Sequence, residues 1–377
     1  MKNENSILFI IFSLGNGGSE KMLLNVLNNT KFSNYRKIIY LYNNISYNSY
    51  ENLIRVPVVK YVSQNKKRYI FFSQFIRVLA LIKIIRKENV RLIFSFSSQG
   101  ALLATVVKLF LPFKKIFVIV RLGTVFNKLF YNPSGNKLKI KIWEQITLFF
   151  TYRFSDRIVC TTQFMKQQLI SKSKKLDDKV VVIKNYIDKK NIETLAAQAI
   201  DEIKKYIVSV GRLEREKNHQ AIIESFNIIK DKTDLNLVIL GDGSLKAEIL
   251  DVISDYGLQD RVFLKGFVNN PYKYIAKAEL LILFSDFEGL PNVIIEALHC
   301  KTPVIVSNFS GVEDIITHNE TGLIVERGNI PELALTIQRV LLDKNLRKNL
   351  AENGFISSLE YSNSIAKYEK LISTLLS

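Results

Sequence analysis

Leu280-Leu-Ile-Leu-Phe-Ser-Asp-Phe-Glu-Gly-Leu-Pro-Asn-Val-Ile-Ile-Glu-Ala297 joins three local signals in 18 residues. Residues 280–284 are apolar without alternation, the pattern of a strand covered on both faces. Residues 285–289, polar apart from Phe287, end on glycine, and Pro291 and Asn292 open a helix. A buried strand that leads through a short loop into a helix is half of a βαβ crossover, so the segment implies a parallel sheet.

The same pattern extends in both directions. Unbroken apolar runs recur at Ile7–Phe12, Lys37–Leu41, Leu92–Phe96, Ile116–Val120, Arg157–Cys160 and Val180–Ile183. Beyond a gap come Tyr206–Val210, Leu235–Leu240, Val262–Leu264, Leu280–Phe284, Pro303–Val306 and Gly322–Val325. Amphipathic helical stretches such as Glu20–Leu27, Phe75–Ile85, Asn218–Ile229 and Ser244–Ile253 lie between them. Twelve strands are too many for one doubly wound sheet, whereas two sheets of about six fit a chain of 377 residues. The stretch 185–201 is the expected linker, and Ser364–Leu376 reads as a short amphipathic helix.

Composition removes several classes. Two Cys, 140 residues apart, make no disulfide framework and no Cys-rich zinc module, and three scattered His make no His-rich metal centre. Ile7–Phe12 is too short for a signal-peptide core. Ala101–Phe113 is interrupted by Lys108 and falls short of the roughly 20 apolar residues that span a bilayer. A soluble chain in a reducing, cytosolic compartment is therefore expected.

The charge is distributed unevenly. Residues 1–200 carry 33 Lys and Arg against 10 Asp and Glu, and residues 201–377 carry 20 against 25. The halves are thus +23 and −5, within a total of +18. A general enrichment in Lys would raise both halves, so the asymmetry points to an anionic partner for the first. The stretches 71–87 and 137–153 mix basic residues with Phe, Ile, Leu and Trp143, and Lys66-Lys-Arg68 precedes the first. Their apolar residues suit a sheet-covering face, and their basic ones an anionic leaflet.

Three loops carry the chemistry. Ser13-Leu-Gly-Asn-Gly-Gly-Ser-Glu20 follows the first strand and opens a helix, where bare backbone attracts anions. It is not the spaced dinucleotide fingerprint, and no suitable acid follows the second strand, which counts against NAD. Val208-Ser-Val-Gly-Arg-Leu-Glu-Arg-Glu-Lys-Asn218 sets Arg212 and Lys217 after a strand, a fork and a point charge that suit a diphosphate. By charge alone that loop reads better as a solvated mixed-charge turn, since Glu214, Arg215 and Glu216 intervene. In the opening segment Glu288 sits in the loop and Glu296 two turns into the helix. Such a pair is common by chance, but Gly289-Leu-Pro-Asn292 sets a bare helix N-terminus beside Glu288. His299 reads as packing, His219 as exposed, and Cys160 as a small buried hydrophobe.

Together these pieces resemble the family-4 retaining glycosyltransferases of the GT-B fold. The matching residues are Gly211-Arg-Leu with Lys217, Gly241-Asp-Gly243, Gly266-Phe-Val268, Glu288 with Glu296-Ala-Leu-His-Cys-Lys-Thr-Pro-Val-Ile305, Gly311-Val and Thr321-Gly-Leu-Ile324. The first half matches more loosely through Gly17-Gly-Ser-Glu20, Ser155-Asp-Arg-Ile-Val159 and Asn185-Tyr-Ile-Asp188. The resemblance implies an α/β chain of two Rossmann-like, doubly wound parallel-sheet domains facing across a cleft. Residues 1–188 would form an acceptor-side domain, 189–360 a nucleotide-sugar domain, and 361–377 a helix packing back toward the first.

It also implies roles. Arg212 and Lys217 would hold the donor diphosphate, Glu288 the transferred sugar and Glu296 the ribose hydroxyls. The backbone of Gly211 and of Gly289, Leu290 and Asn292 would cradle phosphate and sugar, and that around Phe267 would meet the base. Gly17 and Gly18 would close over the diphosphate. Many relatives place a His on the donor sugar, but this chain has none before His219; Ser97, Ser98, Gln99 or Arg121 would stand there, on the acceptor side.

The activity implied is hexosyl transfer with retention, from a UDP-sugar or similar donor to a lipid-linked saccharide in O-antigen or capsule synthesis. No metal or other cofactor is expected, because Arg212 and Lys217 supply the positive charge. The enzyme would sit peripherally on the inner face of the cytoplasmic membrane and bind no nucleic acid. A basic nucleic-acid binder is one alternative, but helix-turn-helix punctuation and an RNA-binding aromatic signature are missing. A sugar-nucleotide epimerase or a phosphorylase on the same scaffold is the other. The charge asymmetry predicts retention on vesicles rich in anionic lipid, weak retention on neutral ones, and release by salt. Sedimentation with the two vesicle types checks this, and equal binding to both would refute it.

Overall fold

The computed structural model describes residues 5–14, 17–31, 35–42, 54, 58–62, 70–123, 137–200 and 205–377. The chain divides into two compact units, Met1–Tyr186 with Asn363–Ser377, and Ile187–Ser362.

The first unit is built on a parallel sheet of β1 (Ser6–Ile11), β2 (Arg36–Leu41), β3 (Val58–Val62), β4 (Val90–Ser95), β5 (Phe117–Arg121), β6 (Arg157–Cys160) and β7 (Val180–Val182), in the order β3-β2-β1-β4-β5-β6-β7. The unbroken hydrophobicity of β1 is explained by what lies on each side. Leu8 and Ile10 pack with Val78, Leu81 and Ile85 of helix Ile70–Lys87 and with Ala104 and Val107 of helix Ser98–Leu109. Ile7, Phe9 and Ile11 point the other way, to Met22, Leu23 and Val26 of helix Gly18–Asn29 and to Tyr368 and Ile372 of helix Ser364–Leu376. Successive residues alternate faces, so a strand covered twice has no polar positions to spare.

The second unit repeats the plan with β8 (Tyr206–Val210), β9 (Asn236–Leu240), β10 (Val262–Gly266), β11 (Leu280–Leu283), β12 (Val304–Ser307) and β13 (Leu323–Val325), in the order β10-β9-β8-β11-β12-β13. Helices His219–Ile229, Lys246–Asp255 and Ile330–Leu342 cover one face. Helices Lys189–Ala196, Tyr272–Ile275 and Asn292–His299 cover the other. The stretch after β7 is ordered: Asp188 Oδ1 caps helix Lys189–Ala196 by accepting from Asn191 N at 3.1 Å. Both sheets are doubly wound and parallel, as expected of an α/β chain of two Rossmann-like units.

Two details differ from the sequence reading. The first sheet has seven strands, because Val58–Val62 was not read as one. Its Lys60 is exposed at the sheet edge, where a charged residue blocks further pairing and interrupts the hydrophobic run. Glu296 lies one turn into its helix, not two, because the helix starts at Asn292. Among the described residues no helix is long and apolar enough to cross a membrane.

In each sheet the strand first in sequence has its successor on one side and a later strand on the other. β1 stands between β2 and β4, and β8 between β9 and β11. Loops leaving such neighbours turn to opposite faces and open a crevice at the carboxyl edge. The C-terminal helix is part of the first unit's core, as Ile372 is fully buried there. Ile372→Ala should cost about 2–5 kcal/mol in urea unfolding. Leu342→Ala, at a residue 82% exposed, should change stability by less than about 0.5 kcal/mol.

Candidate active site

The carboxyl edge of the second sheet is held together backbone to backbone. Gly211 N donates to Leu240 O at 3.0 Å, and Gly241 N donates to Gly266 O at 2.8 Å. Gly241 has φ +148°, and a Cβ there would lie 1.8 Å from Gly211 O, so only glycine fits. A Cβ on Gly243 would likewise meet the Leu213 backbone at 2.4 Å. Glu214 accepts from Ser244 N at 3.1 Å and Ser244 Oγ at 2.8 Å, and these bonds hold its carboxyl below the usual range.

Lys217 and Glu288 meet at the switch point between β8 and β11. Lys217 Nζ donates to Glu288 Oε1, and the two side chains are only 17% and 12% exposed. Ser285 Oγ donates to the same carboxylate oxygen at 2.8 Å. The loops carrying them are tied by Asp286 N donating to Glu216 O at 2.8 Å. Arg327 Nη1 donates to Asp286 O at 2.8 Å, and Ser307 Oγ to Ser285 O at 2.6 Å. Asn218, in the left-handed region at φ +48°, turns the chain from Lys217 directly into helix His219–Ile229. Arg212 stands 68% exposed at the rim and pairs with Glu216 at 2.7 Å. The result is one half-buried ammonium fixed by Glu288 and one exposed guanidinium held by Glu216, both within the loop after β8.

The other candidates in this unit surround the same edge. Leu290 is buried, Pro291 is the N-cap of helix Asn292–His299, and no side chain caps that end. The first-turn N–H groups of such a helix carry its positive end. Glu296 is 5% exposed, and Tyr272 Oη lies 3.5 Å from its Oε1. Phe267 is half exposed just after Gly266. Ser285, Tyr272 and Arg327 were not singled out from the sequence. Ser285 stood inside the motif, whereas nothing local marks Tyr272 or Arg327, which reach the site only through the fold.

His219 is not exposed, as the sequence suggested, but buried under the Gly211–Arg212 turn, with Nδ1 3.4 Å from Ser209 Oγ. His299 is buried and stacks on Phe355 with ring centroids 5.4 Å apart. Burial pushes the Cys160 and Cys300 thiols up to about 12, so neither supplies a thiolate. Among the described residues no group of three or more His, Cys, Asp or Glu is placed to hold a metal ion.

In the first unit Gly17 is the N-cap of helix Gly18–Asn29, while Gly15 and Asn16 lie outside the described residues. Ser97 Oγ accepts from Gly100 N at 3.1 Å and so caps its own helix. Gln99 is exposed, and Arg121 is buried at the end of β5, donating through Nη2 to Asn185 Oδ1. The side chains of Ser98 and Trp143 and the run Lys66–Arg68 lie outside the described residues.

A two-sheet scaffold with its polar residues gathered at the carboxyl edge of the second sheet is a small-molecule binding arrangement at a topological switch point. Known proteins agree: residues 17–191 match Glycosyltransferase Family 4 and residues 189–356 match Glycosyl transferases group 1. A Campylobacter jejuni N-acetylgalactosamine-N,N'-diacetylbacillosaminyl-diphospho-undecaprenol 4-alpha-N-acetylgalactosaminyltransferase is 31% identical over 90% of each chain. The Staphylococcus aureus capsular polysaccharide biosynthesis glycosyltransferase CapM is 25% identical over 78% of this chain and 79% of its own. The crystal structure of Anabaena HepE in complex with UDP-glucose superposes with a TM-score of 0.78, at 18% identity over 98% of this chain and 99% of that one. The chain belongs to the family-4 glycosyltransferases of the GT-B fold.

Burial lowers the His219 pKa to about 4, an effect the nearby Gly211–Arg212 backbone partly offsets and the Lys217 ammonium reinforces. The folded value lies below the unfolded one of about 6.5, so the stabilisation is complete above that pH and is lost as pH falls toward 4. The loss should reach about 3 kcal/mol. Urea unfolding of the wild type and of His219→Leu between pH 7 and 4 measures it as their difference, which should shrink with acid.

Proposed function

We propose that the chain is a retaining hexosyltransferase that moves a sugar from a nucleotide diphosphate donor, UDP-linked, to a lipid-linked saccharide in cell-surface polysaccharide synthesis. The observation that carries the reading is the Lys217–Glu288 pair at the switch point of the second sheet. A donor diphosphate gains charge as its bond to the anomeric carbon breaks, and fixed cations stabilise that charge most. Lys217, held in place by Glu288, is such a cation, and Arg212 is a second that closes from the rim. The pair does the work a divalent ion would do, and no metal is required. The anomeric carbon–oxygen bond breaks, the diphosphate keeps the electron pair, and the acceptor hydroxyl bonds to the same face while its proton passes to the leaving group.

The remaining roles follow from position. Glu288 places negative charge beside the oxocarbenium-like centre, and Ser285 orients it. The backbone of Gly211 and of Gly289, Leu290 and Asn292 meets phosphate and sugar hydroxyls. Glu296, buried one turn into its helix, accepts from the ribose hydroxyls, and the Phe267 segment meets the base. UDP in HepE supports the base, and the α linkage named for the Campylobacter enzyme supports retention.

The diphospho-undecaprenol in that name and the capsular role of CapM support a lipid-linked acceptor. Apolar side chains on the outside of the basic first unit support work at an anionic membrane surface on the cytoplasmic side. Phe75, Leu79, Phe110, Phe113 and Phe149 are 55%, 44%, 58%, 102% and 63% exposed. Amphipathic surfaces of this kind enter the headgroup layer, and their Lys and Arg hold the anionic lipid.

Arg212→Ala and Lys217→Ala should each lower kcat/KM by about 100-fold or more without unfolding the chain. Glu288→Gln, which keeps the shape, should act mainly on kcat. Glu296→Gln should weaken donor binding by about 10- to 100-fold, the loss of a charge-assisted hydrogen bond of roughly 1.5–3 kcal/mol. Radiolabelled sugar transfer and UDP calorimetry separate the two effects. Near-wild-type turnover in Lys217→Ala would refute the assignment.

A further inference from the structure

Arg327 stands in the loop after β13, and its root is fixed by one residue of the loop after β12. Asn308 N donates to Val325 O at 2.8 Å, Arg327 N donates to Asn308 Oδ1 at 3.0 Å, and Asn308 Nδ2 donates to the Glu326 carboxylate. From there the guanidinium reaches back past β12. Its Nη1 donates to Asp286 O at 2.8 Å, in the loop after β11 and 41 residues earlier in the chain. Asp286 N donates in turn to Glu216 O at 2.8 Å, in the loop after β8. The sheet order is β8-β11-β12-β13, so the N–H and the C=O of Asp286 are engaged by loops on opposite sides of its own.

Folding energetics do not explain this reach. Arg327 is exposed, and among the described residues no carboxylate pairs with it. The neighbouring Glu326 is taken up by Asn308 instead. Fixing a long side chain in water costs about as much as one charge-assisted bond to a carbonyl returns. The consequence of the bond is local. Asp286 lies two residues before Glu288, whose carboxylate receives Lys217 Nζ and Ser285 Oγ. A carboxylate carried on a loop is aimed only as well as that loop is held, and a misplacement of about 1 Å at a reacting group can cost roughly 100-fold in rate.

We propose that Arg327 is a positioning residue for the transfer reaction. It acts through the main-chain carbonyl of Asp286 to hold Glu288, and with it Lys217, at the bearing the reaction needs, and it touches neither donor nor acceptor. Asn308 belongs to the same strut, because it fixes where the Arg327 side chain starts. The inference rests on the proposed activity, to which it adds the loops after β12 and β13.

Two measurements on the full chain test it. Hydrogen exchange of residues 285–290, read by mass spectrometry, reports on the loop without any substrate. Arg327→Ala should speed exchange there about tenfold, and Arg327→Lys, which can still donate to the carbonyl, should restore most of the protection. Transfer from the labelled UDP-sugar that the wild type uses reports on the role. Arg327→Ala should lower kcat about tenfold and leave donor KM and the melting temperature unchanged. Asn308→Ala should do the same, and the two together should do no more than either alone. In a Glu288→Gln background Arg327→Ala should have no further effect on kcat, because the group it orients is already lost. Unchanged exchange, unchanged kcat, or a loss that adds in full to that of Glu288→Gln would overturn the inference. A raised donor KM with kcat kept would overturn it too, by making Arg327 a direct ligand. A wild type that moves no sugar would sink the proposed activity and this role with it, whereas a transferring wild type with an indifferent Arg327→Ala variant would sink this role alone.

Discussion

A parallel strand that is apolar on both faces must be covered on both, and the architecture of this chain follows from that requirement. Helices are needed above and below each sheet, and right-handed crossovers lay them down in only one way. Winding outward from a central strand in both directions leaves one place in each sheet where adjacent loops diverge. β1 with β4, and β8 with β11, are those places. Polar chemistry collects there because the faces are sealed and the diverging loops leave an open crevice at the carboxyl edge.

At the edge of the second sheet, close packing and charge placement act together. Gly241 lets the loop after β9 press against the Gly211 carbonyl. That contact sets the course of the loop carrying Arg212, Glu214 and Lys217. Asp286 N on Glu216 O then joins this loop to the one carrying Glu288. The Lys217–Glu288 pair is thus held by backbone contacts on both sides. A half-buried pair contributes little to stability for its desolvation, and removing either member leaves a charge uncompensated. Folding energetics therefore do not account for the pair, whereas under the proposed activity it preorients an ammonium for the diphosphate.

The two units spend their polar residues differently. In the second, buried or half-buried charges have partners: Lys217 has Glu288, and Glu296 has the Tyr272 hydroxyl near it. In the first, Arg121 is buried in the half that carries the net positive charge and donates to the Asn185 amide oxygen, a neutral partner.

Strand positions, the doubly wound parallel class and the loops that carry Arg212, Lys217 and Glu288 were legible in the sequence, because hydrophobic runs and loop motifs are local. Val58–Val62 was not, since an edge strand with an exposed Lys60 lacks the continuous apolar signature. His219 was misread because a residue at a helix start is ordinarily solvated. Only the turn enforced by Asn218 and the neighbouring glycine loops puts its ring beneath Gly211. The sequence by itself determined which residues carry charge, where the backbone is bare, and that both faces of every sheet would be covered. Tertiary structure decided which of those charges meet. Glu288 neutralises Lys217 across 71 residues, whereas among the described residues Arg121 is paired with the neutral Asn185 and with no acid. Pairing of that kind depends on strand order, and strand order is set by non-local packing that no local pattern records.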